Sequence, residues 1–176
     1  MAPIAIRAAT KPDLAAITRI YQFHVAHGLA SFELDPPTHD EMLARYGDIV
    51  DRGFPYLVAE RDGAVVGYAY ASAYRARPAY RFSVENSVYI DPEARRSGIG
   101  RALLLALIGE CEQRGFRQMV AVIGDSENFD SIGLHAACGF ERIGTFKAIG
   151  WKFGRWVDSV LMQRALGSGD RAPPVE

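Results

Sequence analysis

Apolar positions along the chain repeat with two periods, and the places where the period changes mark the elements. Leu14, Ile17, Ile20, Tyr21 and Val25 recur at helical spacing, which predicts a helix with one buried face running to about His27. Thr10 reads as its N-cap, with Pro12 and Asp13 in the first turn, and IAIRAAT before it begins as a short strand. Thr38 and Glu41 have the spacing of a capping box ahead of a second helix, about His39 to Arg52, which Gly53 ends. Asp62-Gly63 then separates two runs of strand-forming residues, the strongest short-range sign of a β-hairpin. SVENSVYI resumes as a strand and stops at Asp91-Pro92. Ile99, Leu103, Leu107 and Cys111 make the stripe of a third helix, with Gly115 at its C′ position. QMVAVIG reads as a buried strand, Asp130 to Cys138 as a short helix, and ERIGTFKAIGWKFGRWVDSVLMQRAL as a last pair of strands joined by a linker rich in glycine and aromatics. GSGDRAPPVE reads as a disordered tail.

Composition narrows the class without naming an activity. A chain of 176 residues is long enough for one domain with one core, so residues 1–166 are expected to form a single domain and 167–176 the tail. Hydrophobic residues at 49% and charged residues at 23% are close to the globular average. Twenty basic against 21 acidic residues leave a net charge of −1, which gives no global field for nucleic acid or an acidic membrane. Any anion site must be local. The longest apolar stretches, such as Ala102 to Ile108, fall far short of the roughly 20 residues of a membrane span. MAPIAIRAAT lacks the pattern of a signal peptide, which points to the cytoplasm, and Cys111 and Cys138 read as reduced structural residues. His24, His27 and His39 combine with no cysteine or carboxylate at metal-ligand spacing, so no metal is expected.

Candidate chemistry concentrates at RRSGIG, Arg95 to Gly100, where a strand gives way to a helix. A helix N-terminus presents unpaired N–H groups and partial positive charge, and glycines let a ligand approach them, so the stretch suits a phosphate, with Arg95, Arg96 and Arg101 adding charge at the rim. The same glycines also fit a simple turn. A dinucleotide-binding unit is disfavoured, because Leu103 stands where its third glycine belongs and an antiparallel hairpin precedes the stretch.

Arg95-Arg96-Ser97-Gly98-Ile99-Gly100 resembles the acetyl-CoA signature of the GNAT superfamily of acetyltransferases, and Asn128, Ser131, Leu134, His135, Gly139 and Phe140 match a second segment of that family. ASFE, RARPAYR, VENSVYIDP, AVIGDSEN and GWKFGRW resemble the branch of phosphinothricin and methionine sulfoximine N-acetyltransferases. The resemblance implies an α/β fold with a central mixed, mostly antiparallel sheet flanked by about four helices, acetyl-CoA as cosubstrate, a small amino acid as substrate, and a homodimer.

It also implies roles. Residues Arg95 to Arg101, Asn128 and Ser131 would hold the cofactor, and the strand edge at Val88, Tyr89 and Ile90 would pair with pantetheine and polarise the thioester. Attack by an amine needs a base; the resemblance assigns it to Glu85, while the pattern alone also fits a glutamate facing solvent. His135 stands where many relatives carry the tyrosine that protonates the thiolate; it either does that work or is a helix histidine bonded to a neighbour. Arg75 and Arg77 point the same way if RARPAYR is extended and would then grip a carboxylate, with a solvated basic loop as the alternative. Phe32 and Tyr80 would wall the side-chain pocket. The expected reaction is acetyl transfer to the α-amine of a small L-amino acid or analogue. The rivals are a related enzyme for another amine and a non-catalytic acetyl-CoA sensor.

Overall fold

The computed structural model describes residues 3–174; the first two residues and the last two of the expected tail lie outside it. Strands β1 (Ala5–Ala8), β2 (Tyr56–Arg61), β3 (Ala64–Ala73), β4 (Ser83–Ile90), β5 (Gln118–Gly124), β6 (Glu141–Lys152) and β7 (Arg155–Ala165) form one sheet in the order β1-β2-β3-β4-β5-β7-β6. Every neighbouring pair is antiparallel except β4 with β5, which is the mixed sheet the family resemblance implied. Helices α1 (Leu14–His27), α2 (His39–Asp51), α3 (Ile99–Gln113) and α4 (Phe129–Ala137) cover it.

Local chemistry explains most boundaries. The capping box at Thr38 forms, its hydroxyl accepting from the Glu41 amide while Glu41 accepts from the Thr38 amide. At Thr10 the cap begins a short 3₁₀ turn, Lys11–Asp13, that leads into α1. The Asp13 carboxylate accepts the Thr10 amide and hydroxyl and a two-pronged bond from Arg7. One expectation is corrected. The glycine and aromatic stretch near residue 150 is not a linker, since β6 and β7 continue through it to a two-residue turn at Phe153-Gly154. Cross-strand packing of Trp151 on Trp156, centroids 5.2 Å apart, favours the strands there. Residues 167–174 carry turn hydrogen bonds, and Arg117 donates to the Pro173 carbonyl.

The two faces of the sheet carry separate cores. Under α3, fully buried Leu103, Leu104 and Leu107 meet Ala69, Val84, Met119 and Met162, each leucine contributing about 1.5–3 kcal/mol. Under α1 and α2, Leu14, Ile17 and Ile20 meet a row of tyrosines from the strands, Tyr56, Tyr68 and, partly buried, Tyr70 and Tyr89. The feature that positions the site lies between these layers. Strands β4 and β5 pair only from Ser83–Gln118 to Asn86–Ala121, and then part while both continue.

Candidate active site

The parting of β4 from β5 leaves main-chain groups without a strand partner. Asp91 N–H donates to the Val66 carbonyl of β3, and Ser83 accepts from Tyr74. Alternation along an unbroken antiparallel ladder therefore turns the Val88 and Ile90 groups the other way, into the gap facing β5. A cleft of about 780 Å³ opens there. Val88, Tyr89 and Ile90 line it, together with the whole of Arg95 to Arg101 and with Asn128 and Ser131. All the cofactor residues expected from the sequence thus meet in one place.

The Arg95–Arg101 wall is shaped for an anion. Arg96 and Gly98 both have positive φ, 58° and 79°, and at Gly98 the missing Cβ removes the strain of that conformation. The first intrahelical bond of α3 runs from Ala102 N–H to the Gly98 carbonyl, so the amides of Ile99, Gly100 and Arg101 precede it and are free of helical partners. They face the cleft with the positive end of the helix dipole behind them.

Several cleft residues escaped the sequence reading: His24, His27, Leu29, Ala30, Asp125, Phe153 and Arg155. His24 had a signal, since it continues the helical spacing of Ile17 and Tyr21. Its Nε2 lies 2.8 Å from the Ile90 carbonyl oxygen, a contact that needs the ring proton on Nε2, and burial lowers its pKa. Arg155 reaches Asp125 at 3.6 Å from the far side of the β7 turn, a pairing that no spacing announces.

A second recess of about 50 Å³, which shares Val88, Gly124, Asn128 and Ser131 with the cleft, is walled also by Asn86, Ser87 and His135. His135 is 4% exposed. Its Nδ1 lies 2.8 Å from the Ser131 carbonyl, and its Nε2 lies 3.0 Å from the Asn86 side-chain oxygen. Asn86 in turn donates to the Val120 carbonyl at 3.1 Å. Burial lowers the His135 pKa, with the Ser131 carbonyl opposing, so the ring is neutral near pH 7 and donates its one proton to the Ser131 or the Asn86 oxygen, both of which only accept. Asn128 caps α4, its side-chain oxygen accepting from Ser131 N–H.

Glu85 stands one pleat before Ser87 on β4, and alternation turns it with Tyr89 toward the α1 and α2 face. It is half-buried; burial raises its pKa above the usual carboxylate value and the charge of Arg75 opposes. RARPAYR is not extended: the chain bends at Ala76 and Arg77 and makes a 3₁₀ turn at Pro78–Tyr80, so the parallel arginine geometry does not form. Arg75 lies over the Tyr74 ring at 4.4 Å and Tyr80 meets the same ring edge-on at 5.7 Å. Phe32 rests against Gly150 of β6. None of Glu85, Phe32, Arg75, Arg77 and Tyr80 is among the residues lining the cleft itself. Among the described residues, no group of three or more His, Cys, Asp or Glu is placed to hold a metal ion, and no helix is long and apolar enough to cross a membrane.

A parted parallel pair, with a helix N-terminus facing the gap, makes a cleft that offers main-chain groups along one wall and an anion-binding helix start on the other. The GNAT acetyltransferase domain matches residues 6–161, and the chain belongs to that family. It is 56% identical over 169 residues to the phosphinothricin N-acetyltransferase of Alcaligenes faecalis, covering 96% of this chain and 86% of the relative. It is 42% identical over 161 residues to the L-methionine sulfoximine/L-methionine sulfone acetyltransferase of Salmonella typhimurium, covering 92% and 94%. A crystal structure of a phosphinothricin acetyltransferase from Sinorhizobium meliloti in complex with acetyl-CoA superposes with a TM-score of 0.96 at 52% identity, covering 98% of this chain and 94% of that one.

Proposed function

We propose that this chain acetylates the α-amine of a small L-amino acid or analogue of the phosphinothricin, methionine sulfoximine or methionine sulfone type, within a single domain spanning residues 1–166. The observation that carries the proposal is the convergence of two sets of main-chain donors on one cleft: the Val88 and Ile90 groups released from β5, and the first amides of α3. The cleft fits acetyl-CoA, which when bound supplies the activated acyl group as a thioester. The amides of Ile99, Gly100 and Arg101 hold its diphosphate, with Arg95, Arg96 and Arg101 adding charge at the rim. Ile90 pairs with the pantetheine arm, and the Val88 N–H polarises the acyl oxygen.

Glu85 takes the proton from the substrate ammonium, directly or through water, and its raised pKa suits that task. Of the two roles weighed for His135, the hydrogen bonding favours the bridge: its proton is already committed, so we assign protonation of the leaving thiolate to water. Arg75 and Arg77 remain our candidates for the substrate carboxylate, with Phe32 and Tyr80 for the side-chain pocket. The relatives named for phosphinothricin and methionine sulfoximine support this substrate class.

We further assign a homodimer in the cytoplasm. The long edge strand β6 and its turn expose Phe146, Ile149, Trp151, Phe153 and, across the turn, Trp156, an apolar edge of the kind that stable proteins cover. Both cysteines are buried free thiols, as suits a reducing compartment.

The test is release of free thiol from acetyl-CoA against a panel of amino acids, phosphinothricin, methionine sulfoximine and cationic amines. Turnover confined to amines bearing a neighbouring carboxylate is expected; turnover of polyamines alone, or tight acetyl-CoA binding with no acceptor, overturns the reading. Light scattering of the purified enzyme should give twice the chain mass.

A further inference from the structure

The least exposed charged side chain among the described residues is Lys152, at 2%, and nothing in the reaction above uses it. It ends β6, opposite Arg155 across the turn, and its Nζ donates to the Ser31 carbonyl at 2.8 Å, 121 residues away. Burial lowers its pKa and the Glu33 carboxylate opposes. Burying an ammonium carries a desolvation cost that an apolar residue of similar length would avoid.

The segment it holds, residues 29–33, has no regular structure and joins α1 to α2. Side chains rather than ladder bonds therefore fix its place. The Ser31 hydroxyl bonds Tyr21, Tyr21 donates to Glu33, and Arg45 clasps Glu33 with two bonds. On the opposite side, two glycines admit the segment closely. A Cβ on Gly150 would come within 2.2 Å of the Phe32 ring, and one on Gly124 within 2.1 Å of the Leu29 carbonyl oxygen. Leu29 and Ala30 also wall the acetyl-CoA cleft.

We propose that Lys152 is a positioning residue that pins the Leu29–Glu33 segment between the β6–β7 hairpin and the cleft, and thereby sets which amino-acid side chains the enzyme accepts. The specificity half rests on the acceptor site assigned above; the pinning half does not.

The test compares full-length wild type with Lys152→Met and Lys152→Arg, by amide hydrogen exchange and by kinetics against phosphinothricin and a bulkier amino acid. Lys152→Met should speed exchange in residues 28–34 about tenfold, the loss of one charge-assisted bond. It should raise acceptor KM and alter the preference between the two acceptors; Lys152→Arg should recover part of each effect. Unchanged exchange in 28–34 overturns the pin. Faster exchange with unchanged acceptor preference overturns the link to specificity. If Lys152→Met loses the fold, seen as faster exchange throughout α3, Gly150→Ala decides: it displaces Phe32 with the ammonium in place, and wild-type preference in that variant overturns the proposal. A wild type that acetylates no amino acid sinks the acceptor assignment alone, and the exchange measurement still judges the pin.

Discussion

Replacing His135 by phenylalanine separates the two roles open to that ring. Phenylalanine keeps the shape and the edge-on packing against Phe140, centroids 5.0 Å apart, but removes both ring nitrogens. With the ring proton on Nε2, the side-chain oxygen of Asn86, a residue 6% exposed, then loses its donor at 3.0 Å. A buried polar group left without a partner costs about 1–3 kcal/mol. For a chain of this size, about 2 kcal/mol corresponds to a fall in Tm of about 4–8 °C. In a double-mutant cycle with Asn86→Ala, the coupling should be about 1 kcal/mol or more, read from urea and thermal unfolding. Turnover from thiol release should stay within about tenfold of wild type, because the ring proton is spent on the bridge. Loss of the thiolate's acid would instead lower kcat by about 10²–10⁴-fold. A drop of that size in His135→Phe, with Tm unchanged and no coupling to Asn86, refutes the bridge and restores His135 as the acid. The pH dependence of stability gives a second check. The folded pKa of His135 lies below the ordinary 6.5, so the unfolded state binds more protons and stability falls as pH drops below that value. His135→Phe should flatten this slope.

Glu85→Gln should lower kcat by about 10²–10⁴-fold and leave acetyl-CoA binding intact by calorimetry; an unchanged rate rejects the base. As the proposed base Glu85 must be ionised to accept a proton, and its pKa is raised, so on that assignment the acid limb of kcat/KM should lie above the ordinary value of 4.5. Arg75→Ala removes the charge that lowers this pKa, so the limb should move to higher pH, and a limb that moves down contradicts the assignment. Gly98→Ala places a Cβ at φ 79°, at a cost of about 1–2 kcal/mol; acetyl-CoA affinity should weaken while acceptor KM stays near wild type. Asp13 has its pKa held down to about 2 by Arg7, so its contribution is complete above the ordinary 3.8 and disappears as pH falls toward 2. Screening at the partly exposed Arg7 limits it to about 1–2 kcal/mol, and acid titration of Tm for Asp13→Asn should lack that step.

What could be read from sequence was what local physics decides. The stripe Ile99, Leu103, Leu107, Cys111 had to become a helix with one buried face, and all four are buried. The Arg95–Arg101 cradle was legible for the same reason, since a strand, a glycine turn and a helix start lie within one short stretch. In RARPAYR the two arginines share a direction only if the chain is extended, and Pro78 followed by Ala79 and Tyr80 has the form of a helical first turn, which the chain adopts. Lys152 was illegible for a different reason. Its acceptor is a main-chain carbonyl at Ser31, and carbonyls leave no trace in residue identity. The same holds for Phe32, whose place is set by the absence of an atom at Gly150.

The arrangement makes β4 work in three directions, and the switch falls at one residue. Asn86 forms the last rung with Ala121, donates across it to the Val120 carbonyl, and holds His135 of α4 on the other side. Below it the strand is ordinary sheet; above it the Val88 groups and the Ile90 N–H are released into the cleft, the Ile90 carbonyl being held by His24. Glu85, one position earlier, faces the opposite layer with Tyr89. A slip of one residue in the pairing of β4 would put the carboxylate into the α3 core and turn Asn86 away from α4. The facing of Glu85, our proposed base, and the opening of the cleft are therefore fixed by the same register, which runs out at the Asn86–Ala121 pair.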